Sequence, residues 1–353
     1  MGLALTILGA IGTFLGVPAL GQQIRTDIPG VRCWFPVPME EGKFTLAMAP
    51  FVTVDESGRA HITQDGRKLA QLLYTRLEGS FAELDLNVPY ELRGPHSTCP
   101  VTGGDREARA ASAEELAATL GADVVIYGAL VEQEGSAELQ PEFYVSYRGF
   151  TEAADLVGPH ELGRPVRVDV PVQAQTLEGV AEHPVNARAK ALSLIALGLA
   201  SYALDDYHQA FAYFEAAEQT PNWPTSAGKE LVYLLLGNAS SQLAATTLDS
   251  AYVDEALDYY DTALEIAPDF ARALAGKAAA TYQLALGDLE TRRGSQVDPA
   301  LLDESEAIYR AVLETPAPEA AEIDLKVHFG LGQIFLVRHY VEGGDWLAQA
   351  RAE

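Results

Sequence analysis

Basic residues are scarce in this chain: 24 Lys and Arg stand against 50 Asp and Glu, a formal net charge of -26 over 353 residues. No stretch gathers Lys or Arg into the stripe that a phosphate backbone requires, which argues against nucleic acid as a partner. The same charge is repelled by anionic lipid, so membrane attachment has to come from insertion. Cysteine is scarcer still, with two, and the seven histidines are scattered, with no Cys or His pair at ligand spacing. Neither a metal site nor a cofactor is therefore expected. Gly-x-Ser-x-Gly, His-Glu-x-x-His and paired-carboxylate signatures are absent, and Gly103-Gly104-Asp105 lacks the lysine and the strand-to-helix placement of a phosphate loop. The expectation is a protein that is not an enzyme, its many carboxylates serving as solvated surface. What the chain does have is apolar content, 48% of residues, enough for two cores plus terminal extras.

Residues Leu3 to Leu20 contain no charged side chain and approach the length of a bilayer-crossing helix. Four origins fit: a membrane anchor, a secretory signal cleaved after Ala19-Leu20-Gly21, an internal transmembrane helix of a longer chain, or a buried soluble helix. A basic stretch before the apolar run is missing, and Arg25 and Arg32 on its far side leave orientation poorly determined. Residues 1–24 are thus a transmembrane helix or signal peptide, and 25–41 a linker. Cys33 and Cys99 both sit in loop-like settings, Val-Arg-Cys-Trp and Ser-Thr-Cys-Pro. A disulfide between them and two unrelated thiols are the two readings. Cys33 is not a lipoprotein acceptor, since Arg32 occupies the place of a small residue.

From 42 to 172 the hydrophobic period switches between strand and helix. Phe44 to Phe51 reads as a buried strand closed by Pro50. A helix follows from about Gln64, with Leu69, Leu72, Leu73, Leu77 and Phe81 on one face. Leu84 to Leu92 alternates as a second strand. Ser112-Ala-Glu-Glu115 reads as a capping box opening a second helix, and Gly121 as its left-handed C-cap. Asp123 to Val131 is the most strand-like run in the chain, and Phe143 to Tyr147 and Val166 to Val172 add two more. The order β-α-β-α-β-β-β predicts a small α/β domain.

Three segments carry a resemblance: Ala49-Pro50-Phe51 ending a strand, the helix Gly66-Arg-Lys-Leu-Ala-Gln-Leu-Leu73, and the Leu120-Gly-Ala-Asp123 turn into a strand ending at Gly128. Together they resemble the domain of TolB-type and FlgO/CsgG-type bacterial envelope proteins. That resemblance implies a non-catalytic assembly module, and it is the main support for an extracytoplasmic location. The sequence departs from those domains in lacking a lipobox and in leading, after a linker at 173–189, into a helical array.

Self-similarity marks that array, 190–353. Leu197-Gly198 is followed by Ala210, Phe214, Ala217 and Pro221; Leu236-Gly237 by Ala256, Tyr260, Ala263 and Pro268; Ala278 by Ser305, Tyr309 and Val312; Leu331-Gly332 opens a last unit. These residues resemble tetratricopeptide repeats, which need small residues where two helices cross and a large one in the gap between pairs. The units are about 190–224, 229–269, 271–317 and an incomplete 324–353. The fold class expected is α+β in two domains, a small α/β sheet domain followed by an all-α solenoid of repeats.

The repeat resemblance implies a groove lined by first helices, which puts Leu199, Tyr202, Asn238, Gln242, Tyr282, Gln283 and Gln333 forward as contacts for a protein or peptide ligand. A C-terminal carboxylate is disfavoured as ligand, because the lysine that would clamp it is replaced by Leu234. The last unit is uncapped, so either a longer chain or another subunit is expected to cover it. The functional expectation is a non-catalytic interaction scaffold, anchored through residues 3–20 or exported. The alternatives are the sensing portion of a larger effector and, last, a hydrolase hidden in the α/β region.

Overall fold

The computed structural model describes residue 33 and residues 36–83, 89–133, 136–150, 156–172, 184–287, 297–314 and 321–353. The apolar segment 3–20 lies outside them, and among the described residues no helix is long and apolar enough to cross a membrane. The chain is a mixed α/β protein whose first half is an eight-stranded sheet. Its elements are β1 (Phe44–Met48), β2 (Val52–Val54), β3 (Ala60–His61), α1 (Gln64–Glu83), β4 (Tyr90–Arg93), α2 (Arg106–Leu120), β5 (Val124–Gln133), β6 (Ser136–Val145), β7 (Gly158–Glu161) and β8 (Val166–Asp169).

β5 is the centre. β6 runs antiparallel along one edge, while β1 and β2 lie end to end and parallel along the other. Met48 is opposite Ile126 and Val52 opposite Ala129, so three residues on one strand face two on its neighbour. Pro50 occupies this bulge, where its missing N–H costs no ladder bond. The strand expected to close at Pro50 therefore resumes beyond it. β4 pairs β1 in parallel, β3 pairs β2, and β7 and β8 share the outer edge of β6.

Side-chain alternation divides the two faces. Leu46, Met48, Val124, Ile126 and Phe143 meet Leu69, Leu73, Leu77 and Phe81 of α1, the helix face the sequence predicts. Ala47, Ala49, Val125 and Tyr127 meet Ala113, Leu116, Ala117 and Leu120 of α2 on the other side. Helices on both faces explain why β1 and β2 are buried throughout. α2 does not open at Ser112. Asp105 caps it, accepting from the Ala108 N–H at 2.8 Å, and Ser112 lies inside the helix with its hydroxyl accepting from the Thr102 N–H. The buried face of the helix already begins at Arg109, which pairs with Glu142, so the earlier cap wins. Gly121 has φ 65°, the left-handed C-cap expected. Arg109 is buried and grips Glu142 of β6 with two guanidinium N–H donors.

The second half consists of helices: α3 (Pro184–Tyr202), α4 (Tyr207–Glu218), α5 (Glu230–Thr247), α6 (Ala251–Ile266), α7 (Ala271–Ala285), α8 (Pro299–Glu314), α9 (Ala321–Glu342) and the short α10 (Trp346–Ala350). Each packs on its neighbours in sequence. α3 begins six residues earlier than expected, inside the supposed linker, with proline in its first turn where a missing N–H is harmless.

The two halves share an apolar core. α3 packs on α1 and β8, and one continuous cluster runs from Phe44 through Phe81 and Val168 to Leu192, Tyr260 and Ala280. Polar contacts tie the same junction. Arg272 of α7 donates to the carbonyl of Val157 at 2.7 Å, and the Arg164 N–H donates to Ala227 at 2.9 Å. No local pattern reveals this seam, because its contacts join residues as much as 115 positions apart. Cys33 and Cys99 form a disulfide, with Cα atoms 5.6 Å apart, fastening the chain before β1 to the loop after β4.

Candidate protein-binding surface

The helical half is held together by rings lodged against glycine. A side-chain carbon on Gly237 of α5 would fall 2.6 Å from the ring of Tyr260, and one on Gly276 of α7 would fall 2.5 Å from the same ring. Tyr260 of α6 is therefore wedged between two first helices, with its hydroxyl donating to Asn238 Oδ1 at 2.6 Å. Phe214 of α4 meets Gly198 of α3 in the same manner, and Tyr309 of α8 meets Gly330 of α9. The sequence identified Gly198 and Gly237. It missed Gly276 and Gly330, each of which stands two residues before the small residue singled out, Ala278 or Gly332; that recurrence was the available signal. Gly332 itself has only the Ala350 carbonyl near, at 3.6 Å from the position of an added carbon. Ser305 holds the α7–α8 crossing, donating to the Ala278 carbonyl at 2.8 Å.

Tight crossings draw three of the seven candidate contacts into the interior. Leu199 is 1% exposed, and Tyr202 is 5% exposed with its ring between Phe150 and Tyr207. Asn238 is 4% exposed and satisfies Tyr260. These three pack the fold and present no surface to a ligand, which corrects their assignment. Gln242, Tyr282, Gln283 and Gln333 remain half-buried. Gln242 and Gln283 lie on α5 and α7, which touch, and the Gln283 Oε1 is buried with no hydrogen-bond partner among the described residues. Tyr282 leans on the core of α7, α8 and α9. Gln333 sits apart from these, on the face of α9 that carries Phe329 and Leu336.

A second surface escaped the sequence reading. Phe211 of α4, Tyr233 of α5 and Tyr259 of α6 form a half-buried seam, with ring centroids 5.9 Å apart for Phe211–Tyr259 and 6.4 Å for Tyr233–Tyr259. His208 and Tyr252 extend it. Tyr233 donates to Glu218, and burial followed by Glu255, Glu215 and Glu218 pushes the Tyr259 hydroxyl up to about 12. Rings and carboxylates lie side by side here, with Glu218 also paired to Lys229, and exposed carboxylates over an apolar floor suit Lys or Arg.

A cleft of about 420 Å³ lies along α1, lined by Gln64, Arg67, Lys68, Gln71, Leu72, Thr75 and His96. Lys68 there donates to the Val172 carbonyl and pairs with Asp65. Among the described residues no group of three or more His, Cys, Asp or Glu is placed to hold a metal ion.

No protein-family model matches this chain, and no curated protein is significantly similar to it. The reading of its function rests on its own geometry.

Proposed function

We propose that the chain is a non-catalytic interaction scaffold of the tetratricopeptide-repeat kind, in which helix pairs 184–350 hold an extended segment of another protein. One observation carries this reading. The same device, a ring from a second helix set against glycine of a first helix, recurs at Phe214, Tyr260 and Tyr309. A generic bundle has no reason to repeat it, whereas the close helix crossings of a repeat array call for it. The contacts proposed are the amides Gln242 and Gln283, with Tyr282, and the aromatic seam of Phe211, Tyr233, Tyr252 and Tyr259. Carboxylates bordering that seam suit a partner segment bearing Lys or Arg.

The Cys33–Cys99 disulfide supports an oxidising compartment, and with the apolar run at 3–20 it favours an extracytoplasmic body attached to or exported across a membrane. The α/β half, in the manner of TolB-type and FlgO/CsgG-type modules, serves as an assembly platform. A second reading, the sensing portion of a larger effector, is favoured by the α1 cleft, where Arg67, Lys68 and His96 would receive a small anionic ligand.

Site-specific photocrosslinking separates these ideas. A photoreactive residue at Gln242 or Tyr259 is expected to give discrete adducts with a partner protein in cells, while one at Glu107 on α2 gives none. Adducts at all three positions alike, or at none, would overturn the array as the binding surface.

A further inference from the structure

One helix face is left over after the core, the seam and the amides are accounted for. α9 turns Val327, Leu331, Ile334 and Phe335 inward, all at most 1% exposed. On its opposite side Leu325, Phe329, Leu336 and Tyr340 are 67%, 66%, 41% and 79% exposed. Isolated exposed apolar residues are ordinary, but four in one row on a 22-residue helix are not.

The spacing of the row identifies its occupant. Phe329 and Leu336 are equally distant from the point between Gly332 and Gln333, and so are Leu325 and Tyr340. A second α9 laid antiparallel across that point would bring Phe329 against Leu336 and Leu325 against Tyr340, twice over. α10 covers the Gly332 side of this point, with the Ala350 carbonyl 3.6 Å from where a side-chain carbon would stand, so the two helices meet on the Gln333 side. Such self-complementarity is what a two-fold interface demands and what an unrelated partner would have no need of.

Size agrees. Four side chains this exposed offer on the order of 500 Å² per copy, so a pair would bury roughly 1,000 Å², where specific interfaces begin. Charge permits it as well. Among the described side chains, Lys326, His328 and His339 flank the row, with the Glu353 carboxylate hydrogen-bonded to His328; Asp324 and Glu342 fall on another flank. The copies, each at -26, repel one another overall, and salt screens that repulsion.

We infer that α9 is a homodimerisation helix, pairing antiparallel with α9 of a second copy about a two-fold axis at Gly332–Gln333.

The test uses the full chain in mild detergent with a short bis-maleimide. Gln333→Cys places two thiols beside the axis, within roughly 10 Å of each other at helix-packing distance. Leu325→Cys places them roughly 22 Å apart along the helices, beyond the reagent. The expected result is at least tenfold more covalent dimer from Gln333→Cys than from Leu325→Cys, more at high salt. Adding Phe329→Glu and Leu336→Glu to Gln333→Cys should reduce the yield about tenfold with the far-UV circular dichroism unchanged. Equal yields from both cysteines, no dimer from either, or a yield indifferent to the two glutamates would each overturn the inference. Crosslinking of Gln333→Cys to a different protein in cells, without self-dimer, would do so too.

Discussion

Gly237→Ala is expected to destabilise the protein even though it improves helix propensity. In the middle of α5, alanine should gain about 0.5–1 kcal/mol over glycine through the lower entropy of the unfolded chain. Against this, the added carbon would sit 2.6 Å from the Tyr260 ring, about 1 Å inside ordinary contact distance. The ring has nowhere to go. It is 1% exposed, its hydroxyl is tied to Asn238, and Gly276 closes the other side. Overpacking of this kind costs about 1–3 kcal/mol, so a net loss centred on about 1 kcal/mol remains. Gly79 of α1 is the control, because a carbon there meets nothing within 4 Å and Gly79→Ala should gain about 0.5–1 kcal/mol. Urea unfolding followed by circular dichroism at 222 nm measures both. Adding Tyr260→Leu to Gly237→Ala should cost less than the sum of the single changes, since the smaller side chain relieves the overlap. Equal stabilisation by Gly237→Ala and Gly79→Ala would refute the ring-against-glycine account of the array.

Other perturbations follow from buried groups. His160, stacked on Phe143 beside Arg272, has its pKa driven well below the usual 6.5 by burial and then by Arg272. It stays neutral when folded but protonates when unfolded, so stability should fall as pH drops below about 6.5, by up to about 1.4 kcal/mol per unit. His160→Phe should flatten that slope in chemical denaturation at pH 7 and 5; an unchanged slope would remove His160 as its source. Glu142→Gln strands the buried Arg109 and should cost about 3–5 kcal/mol, whereas Arg109→Met with Glu142→Leu should recover much of it. Urea midpoints of the single and double variants decide, and a single variant as stable as the parent would contradict the pairing. Thiol labelling of the unreduced, unfolded chain should find neither Cys33 nor Cys99 free, and Cys99→Ser should lose about 2–4 kcal/mol. Two labelled thiols would dismiss the bridge.

Periodic elements are legible in the sequence: the face of α1, the Gly121 cap, the run at β5 and the helical character of the second half all follow from spacing over short distances. Failures cluster where competing local signals or long-range contacts decide. Both Asp105 and Ser112 are competent caps, and only the packing of Arg109 against Glu142 favours the earlier one. Pro50 reads as a strand end unless a bulge absorbs it, which β5 permits. Leu199, Tyr202 and Asn238 were placed on a groove from repeat position alone, but α3 packs on α1 and Tyr260 takes up Asn238, so they are interior. The seam between the halves, through Arg272, Arg164 and the continuous core, joins segments too distant in sequence for any periodicity to reveal.

The central claim is that the helix pairs bind an extended basic segment across the aromatic seam, and calorimetric titration of the full chain with matched basic, neutral and acidic peptides tests it most directly. The account predicts binding of the basic peptides alone, weakened about tenfold by Glu215→Gln with Glu255→Gln and further by salt. Equal binding of acidic peptides, or basic binding indifferent to the loss of those carboxylates, would contradict it.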